Sequence, residues 1–153
     1  MYENTLEYIL ENDSYTRKCN HGVYARDELP YKFNDYPVCI IINTQNRSEP
    51  GEHWLAIFID KNKHARFFDP YGFHPSFYKL GTYMKSLDKK FTWNQKKIQG
   101  LSEYCGFYCI LFLLMAVRGE LGNFYNQFTS NVVNNDLLIS KLIKKYSINT
   151  SES

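Results

Sequence analysis

"HWLAIFIDKNKHARFFD", residues 53–69, sets two short apolar runs on either side of a polar tripeptide, Lys61, Asn62 and Lys63. Two β-prone runs joined by so short a connection predict an antiparallel hairpin. With Asp60 set opposite His64, Asp69 falls opposite Leu55 and diagonal to His53, within reach of a side chain of that size. A loop one residue shorter would invert the parity and carry His53 and Asp69 to opposite faces. In this register the pair shares a face with Leu55, Ile57, Ile59, Ala65 and Phe67. That face is apolar and needs a cover, which the long apolar helix further along the chain is expected to supply.

Upstream of the hairpin, "YPVCIIIN" (36–43) is continuous and β-branched, as a buried central strand requires, and the polar loop "TQNRSEPGE" (44–52) ends it. The first eighteen residues, "MYENTLEYILENDSYTRK", read as an amphipathic helix. They mix acids with apolar residues and lack the basic-then-apolar order of a secretory signal. Downstream, "DPYGFHP" (69–75) breaks the sheet and "PSFYKLGTYMKSL" (75–87) has the spacing of a surface helix interrupted at Gly81. A short strand at 91–93 or 97–99 precedes a buried helix, and "NNDLLISKLIKKYS" (134–147) closes as an amphipathic helix. The order is α+β, with a mixed sheet packed on the buried helix and no βαβ alternation expected.

Composition limits the classes open to this chain. At 153 residues and 44% hydrophobic content, one domain over residues 1–153 is expected, since a chain of this length buries roughly two-thirds of its unfolded surface. An aromatic content of 17% argues against disorder. A formal charge of +2 is too mild to mark a nucleic-acid binder by bulk charge alone. The longest apolar run, Phe107 to Val117, is shorter than the roughly 17 residues of a membrane span, so no membrane association is expected. The four cysteines, Cys19, Cys39, Cys105 and Cys109, form no CxxC pair and are expected as free thiols. Cys19, His21 and Cys39 offer ligand chemistry without zinc-finger spacing, and no metal is expected.

The stretch "KIQGLSEYCGFYCILFLLMAV" (97–117) carries the chemistry. A cysteine in the first turn of a helix meets the positive end of the helix dipole and free amide donors, which favour thiolate over thiol. A histidine facing it can take its proton and later protonate a leaving amine, and a carboxylate behind the histidine orients the ring. His53 and Asp69 are placed for those tasks. Gln99, six residues before Cys105, can join the Cys105 backbone N–H in holding an oxyanion. Gly106 removes a side chain where a substrate backbone must approach, and Trp54 is expected as a lid over the Cys-His pair. Cys109, one turn deeper, reads as core.

"NTQNRSEPGEHWLAIF", "FFDPYGF" and "IQGLSEYCGFYCILF" resemble, in that order, three signature blocks of the adenovirus-type cysteine proteases, the adenains of adenoviruses, related viruses and virus-like transposons. The resemblance covers about Cys39 to Met115. It implies an adenain-like fold related to papain by rearranged order, with His53 as base, Asp69 as orienting acid, Cys105 as nucleophile and Gln99 as oxyanion donor. Mammalian adenovirus enzymes carry a glutamate where this chain has Asp69. The implied function is a viral or virus-like maturation endopeptidase that cuts precursor proteins at glycine-containing sites, a monomer found in the virion and in the host nucleus or cytoplasm and not secreted. No cofactor is needed for the chemistry. The family implies activation by DNA or by a peptide, which would bind noncovalently here because residues 80–98 hold no cysteine. Lys85, Lys89, Lys90, Lys96 and Lys97, interleaved with aromatics, are the candidate DNA contacts. Two other functions compete. A protease that deconjugates ubiquitin-like modifiers shares the residue order but usually shows Gln-x-Asn-x-x-Asp-Cys-Gly, which "QGLSEYCG" lacks. A catalytically silent scaffold binding capsid proteins or DNA would have no need of the intact catalytic set.

Overall fold

The computed structural model describes residues 3–49 and 53–151, so the last three residues of the polar loop before His53 lie outside the described residues. Five strands form one sheet in chain order: β1 (Asn20–Tyr24), β2 (Val38–Asn43), β3 (Trp54–Ile59), β4 (Ala65–Phe68) and β5 (Thr92–Trp93). The three central strands pair antiparallel, while β1 runs parallel to β2 and β5 parallel to β4. Five α-helices surround the sheet: α1 (Glu3–Asn12), α2 (Gly81–Leu87), α3 (Cys105–Val117), α4 (Leu121–Asn126) and α5 (Val132–Ser151).

The hairpin keeps the expected register, from Ile59 opposite Ala65 to Ala56 opposite Phe68. Its turn is fixed by Asp60, whose side chain accepts the Asn62 and His64 amides at 2.9 and 3.0 Å, while Lys63 takes the left-handed φ of +65° needed to close a three-residue loop. Asp69 therefore emerges one residue past the last pair, beside the end of β3 where His53 enters.

The cover of the two faces differs from expectation. The face that holds Leu55, Ile57, Ile59, Ala65 and Phe67 packs on Leu80, Tyr83 and Met84, at and within α2. The buried helix α3 covers the opposite face, against Trp54, Ala56, Phe58 and Phe68. Every residue of β2 and β3 is buried, so both faces are apolar and the strands carry no period-2 signal to say which helix lies where. His53 precedes the ladder and escapes its alternation.

Helix α3 is the spine of the molecule. All of its thirteen residues except Phe107, Met115 and Val117 are buried, and Phe112 stacks on Phe68 with ring centroids 4.6 Å apart. Each large apolar side chain sealed there contributes about 1.5–3 kcal/mol. Such a helix cannot shift without opening the core, so its first residue is held firmly against the sheet.

Several elements depart from the sequence reading. Strand β1, "NHGVY", has no apolar periodicity and forms because β2 offers it a parallel edge, from Asn20 beside Val38 to Tyr24 beside Ile42. Helix α4 was likewise not expected. The 75–87 segment divides into a 3-10 turn at Pro75–Tyr78 and α2, with Lys79 left-handed between them at φ +61°. The expected absence of βαβ order also fails at one edge, where α2 carries the chain from β4 to a parallel β5. Of the two positions open for the short strand, 91–93 is the one used. No helix among the described residues is long and apolar enough to cross a membrane. All four cysteines are free, and no group of three or more metal-binding side chains occurs among the described residues.

Candidate active site

The sheet and α3 bring four of the singled-out residues to one cleft of about 650 Å³, lined by His53, Trp54, Gln99 and Cys105 together with Tyr71 and Ser102. Cys105 is the first residue of α3 and only 8% exposed. His53 enters ahead of β3, and its Nε2 lies 2.8 Å from Asp69 Oδ1. Its other ring nitrogen is left for the Cys105 thiol, to which the imidazole is hydrogen-bonded.

Asp69 is fully buried, and each oxygen has more than one donor. Oδ1 accepts the Tyr71 N–H at 3.0 Å besides the His53 ring, and Oδ2 accepts the Phe73 N–H at 3.1 Å and the Tyr78 hydroxyl at 2.5 Å. The turn "DPYGF" thus folds around its own first side chain. A buried carboxylate satisfied at both oxygens stays put, and so does the ring it holds. The backbone of Asp69 is clamped as well, with its N–H donated to Asn94 Oδ1 at 3.0 Å and its carbonyl accepting Asn94 Nδ2 at 2.6 Å. Tyr71 stacks on the imidazole at 4.6 Å and Tyr78 at 5.9 Å.

The electrostatics favour an ion pair. Burial alone would discharge His53, but the bonds to Asp69 and Cys105 outweigh it and raise its pKa to about 9. For Cys105 burial opposes ionisation, yet the His53 bond and charge, with the Trp54 and Gly106 backbone amides, bring the thiol below its usual range. Cys109, one turn deeper and fully buried, is pushed the other way by desolvation. Two thiols four residues apart on one helix therefore differ in chemistry because only one of them meets the histidine.

Gln99 is 1% exposed, and its Nε2 donates to the Ser102 carbonyl at 2.8 Å. Its Oε1 and the Ser102 hydroxyl have no partner among the described residues. The backbone around Gln99 is tied on every side. Ile98 and Gln99 donate to the Pro70 carbonyl at 2.9 and 3.0 Å, Asn135 Nδ2 donates to the Ile98 carbonyl at 3.0 Å, and Gly100 N–H reaches both oxygens of Asp136 at 3.1–3.2 Å. Helix α5 is thereby joined to the cleft.

Trp54 lines the cleft, 7% exposed. Gly106 is buried and presents its amide to the sulfur. Lys85, Lys89, Lys90, Lys96 and Lys97 are all exposed, and Lys97 Nζ lies 5.5 Å from the Tyr71 ring centre. Sequence reasoning missed Tyr71, Tyr78, Asn94, Asn135 and Asp136. The available signal was the aromatic content of the turn-rich stretch after Asp69, which is too apolar for a plain solvated turn.

A thiol at the head of a core helix, facing a sheet-borne histidine backed by a buried carboxylate, is the arrangement of the papain-like and adenain-like cysteine protease fold. Residues 21–144 match the adenovirus endoprotease family, and the chain belongs to that family. A protease of bovine adenovirus B serotype 3 is 30% identical, over 73% of this chain and 63% of the relative. Among solved structures, ChlaDub1 from Chlamydia trachomatis shares the fold at a TM-score of 0.53 and 17% identity, over 72% of this chain and 60% of that one. The chain thus spans less than two-thirds of the length of either protein.

Proposed function

We propose that this protein is a cysteine endopeptidase working through Cys105, His53 and Asp69, with Gln99 as oxyanion donor. The observation that carries this reading is the Cys105–His53 hydrogen bond backed by a buried, four-donor Asp69. The Cys105 thiolate attacks the scissile carbonyl carbon, forming the C–S bond and an oxyanion. The Cys105 backbone N–H and the Gln99 amide hydrogen not engaged by Ser102 receive that charge. Collapse breaks the C–N bond as His53 Nδ1 gives its proton to the leaving nitrogen. His53 then takes a proton from water, whose oxygen attacks the thioester carbon; collapse breaks the C–S bond, releases the acid and restores the Cys105 thiolate beside protonated His53. Asp69 keeps its bonds throughout and holds the ring in place. Trp54 shields the sulfur and closes over the bound chain, with Gly106 supporting the sulfur from beneath.

Family membership supports protein precursors as substrates. A sulfur only 8% exposed, beside an indole, suits glycine-containing sites, which bring the least bulk to it. The single domain acts as a monomer in the virion and the infected cell, and needs no cofactor for its chemistry. DNA bound by the lysines from Lys85 to Lys97, or a noncovalently added peptide strand, would act as an activator.

Purified protein incubated with a panel of diglycine peptides and ubiquitin-like precursors tests this. Cys105→Ala and His53→Ala should abolish cleavage, Cys109→Ala should retain it, and Gln99→Ala should lower turnover by roughly 100-fold or more. Equal loss from Cys105→Ala and Cys109→Ala would reduce Cys105 to a core residue. Cleavage confined to the ubiquitin-like precursors would favour the deconjugating function.

A further inference from the structure

A second groove, of about 440 Å³, opens on the other side of His53. It is continuous with the nucleophile's cleft, since Gln45, His53 and Tyr71 line both. Its far wall is a stack of two phenylalanines, Phe73 and Phe77, with ring centroids 4.3 Å apart and planes within 13°. These rings are 45% and 64% exposed. Exposed, mutually stacked rings next to a catalytic base are characteristic of a surface that binds something. They are also held in place, because the Phe73 amide is bonded to Asp69, and Tyr78, which packs edge-on to Phe77, donates its hydroxyl to the same carboxylate.

The charges differ on the two sides of the histidine. Arg26 and Lys79 line the groove, and none of the described residues lining it is a carboxylate. The cleft around Cys105 instead includes Glu49 and Glu103, besides Arg47, which is paired with Glu3 at 3.0 Å. The direction of the substrate follows from the chemistry. The group that returns a proton to the leaving nitrogen must lie beside it, so the chain that departs with that nitrogen passes His53 on the side away from the sulfur. The groove fits that side, since His53 lines it and Cys105 does not.

We propose that the groove between His53 and the Phe73–Phe77 stack binds the leaving half of the polypeptide substrate, taking an apolar side chain shortly after the scissile bond and favouring acidic residues beside it. This rests on the cleavage function proposed above. Specificity would then have two parts: a nearly buried sulfur on one side, and an apolar, basic site for the departing chain on the other.

The test uses three probes with one acyl half ending in Gly-Gly. Two are internally quenched peptides that continue after the scissile bond as Leu-Asp-Asp or as Ser-Lys-Lys, and the third is an aminomethylcoumarin amide with no chain beyond the bond. The wild-type protein is expected to cleave the Leu-Asp-Asp peptide with kcat/KM about tenfold or more above the Ser-Lys-Lys peptide, the scale of one well-filled apolar pocket. Phe73→Ser with Phe77→Ser should bring that ratio toward one, and Lys79→Glu with Arg26→Glu should shift preference toward the lysine-bearing peptide. Equal kcat/KM for the two peptides with the wild-type protein would overturn the groove assignment while leaving the protease intact. Hydrolysis of none of the three probes would overturn the cleavage function and the groove with it.

Discussion

At the scale of single residues, the site turns on a competition between burial and pairing. Desolvation works against charge on both His53 and Cys105, and pairing works for it, since each supplies the other's counter-charge and Asp69 supplies a second for the ring. The sign sets a pH window. A histidine raised to about 9 keeps its proton below that value, so its contribution to stability is complete below the ordinary histidine value near 6.5 and is lost as pH rises through about 9. Activity that needs imidazolium should fall over the same upper limb. Asp69→Asn preserves shape but removes the counter-charge, so the basic limb of the kcat/KM profile should move to lower pH and the plateau should drop; an unmoved limb would separate Asp69 from the titration. His53 and Asp69 were legible in the sequence because a three-residue loop fixed their register. The face they share was not, because an all-apolar strand reads alike from both sides. Tyr78 was hidden for another reason: its hydroxyl reaches Asp69 only once the 3-10 turn folds back.

At the scale of elements, the site depends on how a loop is held. Residues 98–100 have no regular structure, yet Pro70, Asn135 and Asp136 occupy their backbone groups, and Asp136 also takes the Tyr108 hydroxyl at 2.7 Å. Gly100 leaves room for that carboxylate, since a β-carbon would sit 2.7 Å from Asp136 Oδ2 and push it aside. Asp136→Ala should therefore loosen Gln99 without touching the sulfur. We expect kcat to fall at least about tenfold, as for a misplaced oxyanion donor, while alkylation of Cys105 keeps its wild-type rate and Asp136→Asn recovers part of the loss. Equal losses of alkylation and turnover would mean general unfolding instead. Helix α5 was legible as an amphipathic segment, but its link to the backbone around Gln99 was not, because two polar residues on such a helix carry no sign of partners 37 and 36 residues away. Strand β1 was hidden similarly, since its pairing comes from β2 and not from any pattern of its own.

At the scale of the whole molecule, a sheet with apolar faces on both sides is sealed by α3 on one and α2 on the other, and the functional groups gather where β3, β4 and α3 all begin or end. The same α2 leads into the exposed lysines that run on to Gln99. If a polyanion orders that segment, DNA should raise the cleavage rate at low ionic strength and lose its effect steeply by a few hundred millimolar salt, as counterion release requires. Charge reversal at Lys89, Lys90, Lys96 and Lys97 should then abolish the response; a rate indifferent to DNA at every salt would leave these lysines as solvated surface. All of this depends on Cys105 being a nucleophile that His53 activates. The most direct measurement is the rate of iodoacetamide labelling at each cysteine, read by peptide mass mapping from pH 5 to 10, in wild type and in His53→Ala. The expected result is rapid labelling of Cys105 on a plateau through neutral pH, with Cys109 inert, and a shift of Cys105 reactivity toward the ordinary thiol range when His53 is removed. Labelling of Cys105 that follows an ordinary thiol titration in both proteins would contradict the mechanism.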